Sequence, residues 1–131
     1  MKRTSVFSAA ILTAVLCFSG NLLAYPGGTG DPNNPYQIAD VNNFQQLSAT
    51  PTDWSKSFIL TANVNLTGHT FTQAPIAPDT NNNTTGVFQG TQFTGVFEGN
   101  SHTISNLTIT ASTQNYYVGL FGYIGSGGKI R

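Results

Sequence analysis

The sequence predicts an all-β chain of short strands and turns with one short helix near its start, and three observations carry that prediction. After Trp54, apolar residues fall in brief runs separated by turn formers. A glycine-bracketed apolar pair, Gly86-Val87-Phe88-Gln89-Gly90, recurs nine residues on as Gly95-Val96-Phe97-Glu98-Gly99, and Gly119-Leu120-Phe121-Gly122 supplies a third. Nothing alternates strand with helix as a parallel sheet covered by helices would. Two arrangements fit these echoes: a hairpin with similar arms, or a solenoid in which short strands stack around a continuous core.

The first segment reads as an export signal. Lys2 and Arg3 precede a run of 13 largely apolar residues, Val6 to Phe18. Ser19-Gly20-Asn21 breaks the run, and Leu22-Leu23-Ala24 leads to Tyr25. Residues 1–24 are therefore expected to be a secretory signal peptide. Leu22 is bulky for its place, so the cut falls after Ala24 or a residue or two away. The run is shorter than the ~20 apolar residues needed to span a bilayer; an uncleaved anchor is the alternative. Leu16 stands where a lipoprotein site wants a small residue, so Cys17 reads as filler of the signal core. Its removal leaves no cysteine for a disulfide or a thiolate metal site.

The elements follow in order. Tyr25 to Pro35 holds three glycines and three prolines and is read as irregular. Asp40 precedes Val41, Phe44 and Leu47, spaced by three, and Thr50-Pro51 stops the pattern, which predicts a short amphipathic helix over 41–49. Ser57 to Leu66 alternates as a strand does, and Thr67-Gly68 ends it. Pro75 to Thr85 is a loop. Phe93 to Phe97, His102 to Ile109 and Tyr116 to Ile124 are compact apolar stretches, with a turn at Glu98-Gly99-Asn100-Ser101, and Gly125 to Gly128 precedes the last residues. The expected divisions are a signal peptide at 1–24, a lead-in with its helix at 25–56, and strand layers at 57–131.

At these residues a family resemblance emerges. GVFEGNSHTISNLTI at 95–109 and YVGLFGYIGSGGKIR at 117–131 resemble the bacterial repeat proteins named for the GLUG motif. The segments GTGDPNNPYQIADVNNFQQL at 28–47 and FILTANVNLTG at 58–68 look like their lead-in. The resemblance implies a short right-handed parallel β-helix of about three to four coils, taking roughly 20–25 residues per coil, with the 41–49 helix capping the first. It also implies an exported, adhesin-like surface protein. Where the family has Asp-Gly-Asn-Gly-His, this chain has Glu98-Gly99-Asn100-Ser101-His102, so Ser101 is expected to strain or reshape a corner that glycine would relax. The chain stops just inside a further Ile-x-Asn-Leu strand of the family pattern, so a truncated product or the first part of a longer protein is expected.

Residues 25–131 carry three cationic side chains, Lys56, Lys129 and Arg131, against five acidic ones, for a net charge of −2. This gives no electrostatic footprint for nucleic acid or an anionic membrane. The abundant Thr, Asn, Ser and Gln suit contact with neutral polar matter such as carbohydrate. Asp79 and Glu98 are the pair of acids that could share a face and bind a cation or cleave a glycan; without a third acid at that period, a structural role is the stronger reading. His69 and His102 have too few companions for a metal site. Trp54, Tyr116 and Tyr117 are the candidate glycan-contact aromatics, with Trp54 alternatively covering the join between helix and strands. Gly86, Gly95, Gly119 and Gly122 are read as structural repeat glycines. Phe88, Phe97, Ile104, Leu107, Leu120 and Phe121 are the expected core stack, and an inward Asn106 would need a backbone or Asn partner. Asn65, Asn82, Asn83 and Asn106 match the glycosylation pattern, a match that arises by chance in so Asn- and Thr-rich a chain and is normally silent in a bacterium.

The expectation is thus a non-catalytic exported segment acting by binding or display. No cofactor and no metal are expected, the partner is carbohydrate or a cell-surface protein, and no membrane span remains after signal cleavage. The alternative is the first part of a carbohydrate-active β-helix enzyme whose catalytic coils lie elsewhere.

Overall fold

The computed structural model describes residues 24–81, 86–111 and 116–131. The expected signal segment therefore lies outside the described residues but for Ala24, together with Cys17, and so do Asn82 and Asn83. Among the described residues the architecture is mostly sheet, with eight short strands and one α-helix.

Strand β1 (Tyr36–Ile38) leads into α1 (Val41–Ala49), the helix expected from Val41, Phe44 and Leu47. Its start is fixed as the sequence indicates: the Asp40 carboxylate accepts the Asn43 amide at 2.9 Å, and Asn43 Oδ1 returns the favour by accepting the Ala39 amide at 3.1 Å. Phe44 and Leu47 are wholly buried. At the far end a 3-10 turn, Pro51–Asp53, replaces the helix.

The expected strand over 57–66 is divided. Strand β2 (Ser57–Leu60) and β3 (Val64–Asn65) belong to different sheets, with a bend between them, and β4 (Thr70–Phe71) follows. The second run repeats this order as β5 (Val96–Glu98), β6 (Ile104–Ser105) and β7 (Thr108–Ile109). Each strand of the first run pairs in parallel with its counterpart in the second: Phe58 with Phe97, Val64 with Ile104, Thr70 with Thr108. Single parallel bridges continue the series, Ile76 to Phe121 and Phe93 to Ile124. Strand β8 (Lys129–Ile130) begins a further layer, so the largest sheet runs β1-β2-β5-β8 with Tyr36, Phe58, Phe97 and Ile130 in line.

This pairing excludes a hairpin as the source of the nine-residue echo. No strand forms at Gly86–Gly90, and β5 pairs in parallel with β2 and β8 rather than folding back as a hairpin. Tyr116 to Ile124 is not a strand either. It pairs with earlier residues through isolated bridges at Phe121 and Ile124, where Ile76 and Phe93 exchange main-chain hydrogen bonds with it, and does not continue into a strand.

The core lies between the sheets and under α1. Ile38, Phe44, Leu47, Phe58, Leu60, Val64, Leu66, Ile76 and Phe93 are its fully buried large side chains, each contributing roughly 1.5–3 kcal/mol. The expected stack is partly right. Phe97 is buried, and Ile104, Leu107, Leu120 and Phe121 pack against the core from partly exposed positions. Phe88 is outside it, because its loop leads away from the layers. Asn106 is exposed rather than inward: it sits at φ +58 where the chain bends between β6 and β7. Ser101 does adopt the left-handed conformation, with φ +61. Gly95 and Gly122 have no room for a side chain, since a Cβ would strike the carbonyls of Lys56 and Ala77 respectively.

Candidate functional site

The outer face of the β1-β2-β5-β8 sheet carries a groove. In-register pairing sends Phe58, Phe97 and Ile130 inward, so period-two alternation turns Ser57, Ile59, Val96, Glu98, Lys129 and Arg131 outward. The lead-in folds against this face. Its turn is closed by the Asn34 amide donating to Asp31 O at 3.0 Å, and the Ser57 amide donates to Gly30 O at 2.9 Å, which brings Pro32 and Pro35 up as one wall. The result is a groove of about 400 Å³ with Ile59 and Val96 on its floor and Glu98, Lys129 and Arg131 at the side away from the prolines. Among the described residues, no hydrogen bond or ion pair engages the Lys129 ammonium or the Arg131 guanidinium, and Glu98 Oε1 accepts only the Asn100 amide, at 3.3 Å.

The aromatic candidates separate. Trp54 is 3% exposed and its Nε1 donates to Leu47 O at 2.8 Å, so its ring closes the join between α1 and the strands and has no free face for a ligand. Tyr116 is 53% exposed. Tyr117 packs edge-on against Phe88 (5.3 Å) and Tyr123 (5.9 Å), while Phe88 and Tyr123 stack at 4.6 Å. The Tyr117 hydroxyl donates to Gly86 O at 3.0 Å. These three rings form a second, smaller cluster beyond the core. Sequence reasoning found Tyr117 but placed Phe88 inside and passed over Tyr123; nothing in the spacing marks a side chain that leaves the stack for a neighbour's ring.

The two acids named as a pair take different places. Asp79 is 4% exposed, and its Oδ1 accepts the Gln89 amide at 2.9 Å and the Asn81 amide at 3.4 Å, which pins the base of its loop; Oδ2 is buried without a partner. Glu98 faces the sheet groove, and Asp79 does not line it. His69 Nδ1 lies 2.9 Å from Gln45 Nε2, which ties β4's approach to α1. Among the described residues no group of three or more His, Cys, Asp or Glu is placed to hold a metal ion, and no helix is long and apolar enough to cross a membrane.

A further pattern went unread in the sequence. Asparagines at the corners reach across layers about 40 positions apart. Asn100 Nδ2 donates to Leu60 O (3.1 Å), Asn63 Oδ1 accepts the Thr103 amide (3.0 Å), and Asn106 Nδ2 donates to Asn65 Oδ1 (2.8 Å). These bonds stitch turn to turn where the strands themselves are too short to do so.

No protein-family model matches the chain, and no solved structure matches it. The chain is similar to halomucin of Haloquadratum walsbyi, with 29% identity over 133 residues. The match takes in 97% of this chain and 1% of halomucin, so the chain spans about one hundredth of the length of the curated relative it matches.

Proposed function

We propose that this chain is a non-catalytic, exported segment of a surface or adhesin-like protein of the GLUG-repeat kind, built as a short right-handed parallel β-helix that α1 caps and working by contact and display. The observation that carries this reading is the strand-for-strand parallel stacking of residues 57–71 on 96–109, with Asn bonds at the corners. A surface made from repeated layers can be lengthened without changing its cross-section, which is what a display protein requires. The similarity to a stretch of a far longer protein agrees with such modular use. The separate placement of Asp79 and Glu98 supports contact over hydrolysis.

Three measurements test it. Expression of residues 1–131 with a C-terminal tag should release a chain beginning at or near Tyr25 outside the cytoplasm; retention inside with Met1 intact would sink the export reading. The pair Ile59→Cys with Glu98→Cys, parallel neighbours across β2 and β5, should form a disulfide under mild oxidation, because adjacent strands lie within the span a disulfide can bridge. New reducing ends on incubation with polysaccharides would refute the non-catalytic part.

A further inference from the structure

We infer that the groove on the outer face of the β1-β2-β5-β8 sheet binds a carboxylated saccharide, a glycan bearing hexuronic acid residues. This deepens the reading of the chain as an exported contact protein and rests on it. Residues 25–131 contain only three cationic side chains, and two of them, Lys129 in β8 and Arg131 directly after it, stand two positions apart and both line the groove. Side chains at that spacing point the same way and lie about 7 Å apart. Neither head group is engaged by another described residue. A cationic pair kept open in so charge-poor a chain is a ready partner for an anion, and the guanidinium matches a carboxylate in shape as well as in sign.

The remaining groove residues narrow the ligand. Lys129 and Arg131 stand against the single acidic side chain Glu98, and the planar guanidinium can hold a carboxylate through two parallel hydrogen bonds. Ile59 and Val96 form an apolar floor, and Pro32 and Pro35 a rigid wall, against which the C–H face of a pyranose can be buried. Ser57 and Glu98 offer hydrogen-bonding groups for its hydroxyls. A volume of about 400 Å³ lies within the range of small-molecule sites. The Arg131 backbone oxygen accepts the Gly99 amide at 2.8 Å, so the residue is held at the end of the groove by main-chain bonding and its side chain is left for the ligand. An acidic peptide would meet the same cations, but its amide backbone gains nothing from an aliphatic floor.

The test is calorimetric titration of the full chain, extended by a C-terminal tag so that no terminal carboxylate stands on Arg131, with galacturonic acid trimer, its methyl ester, and a tri-glutamate peptide, with circular dichroism of every sample. The free acid should bind, and the ester and the peptide should bind at least about tenfold more weakly, the loss expected when a charge-assisted hydrogen bond is removed. Lys129→Gln with Arg131→Gln should cost a similar factor, while Lys56→Gln, away from the groove, should change nothing. Raised salt should weaken binding, since the groove is open to solvent. Equal binding of ester or peptide, an unaffected double variant, or no binding of the acid by a chain with sheet structure overturns the inference alone. A chain lacking sheet structure overturns the underlying reading as well.

Discussion

Ser101 follows Asn100 at a corner where both residues are left-handed, with φ of +61 and +47. Asn tolerates this conformation and here uses its side chain to reach Leu60 O. Ser101 has no such compensation, so Ser101→Gly should raise stability by about 0.5–1 kcal/mol, the relief of left-handed strain less the added freedom of the unfolded chain. Urea midpoints of the two proteins check it. Tyr25 carries a different liability. Its ring stacks on Tyr36 at 4.4 Å and its hydroxyl donates to Asp53 Oδ2 at 3.4 Å. Burial, then the Asp53 charge and that hydrogen bond, hold its pKa well above the ordinary tyrosine value. The folded chain therefore favours the neutral phenol. That contribution is whole below pH ~10 and is lost as pH rises beyond it, because the unfolded chain ionises first. Denaturation across the alkaline range should show stability falling there, and Tyr25→Phe should flatten the fall while keeping the ring stack.

At the scale of elements, α1 was fully legible because every signal for it is local: Asp40 as cap, three apolar residues on one face, and Thr50-Pro51 as stop. Asp40→Ala should cost ~1 kcal/mol in a thermal or urea melt, since the Asn43 amide loses its acceptor. The strands were legible as apolar stretches but not as boundaries. Phe58, Leu60, Val64 and Leu66 keep a period of two through the bend at Thr61 and Ala62, so alternation alone cannot show that β2 and β3 join different sheets. Phe88 and Phe97 occupy matching places in the echo, yet one is stacked on Tyr123 and the other is buried. Which of two like motifs enters the core depends on what lies above and below it, information held some 40 residues away. The groove was hidden for the same reason: Pro32, Val96 and Arg131 come together only through sheet register.

Across the whole molecule, each layer is held by the one beneath it. Gly95 shows how closely: its position admits no Cβ because Lys56 O occupies that space, at the point where β5 enters over β2. Gly95→Ala should therefore cost about 3 kcal/mol or prevent folding, whereas Gly119→Ala, whose nearest neighbour is Phe121 O at 3.3 Å, should cost under about 1 kcal/mol. Melting curves of the two variants discriminate between glycines that the sequence presents as equivalent. The burial along one column makes the order of layers visible, with Phe58 wholly enclosed, Phe97 3% exposed and Ile130 45% exposed. Among the described residues, β2, β5, β6, β7 and β8 each pair with a strand made earlier in the chain, while β3 and β4 take their strand partners from the later run. A polypeptide threaded through a membrane pore amino end first meets no conflict with this order. The first run, with α1, would come through before the second, so β5, β6 and β7 would each meet their partner strand already in place, and layers could be added in the order in which they pass.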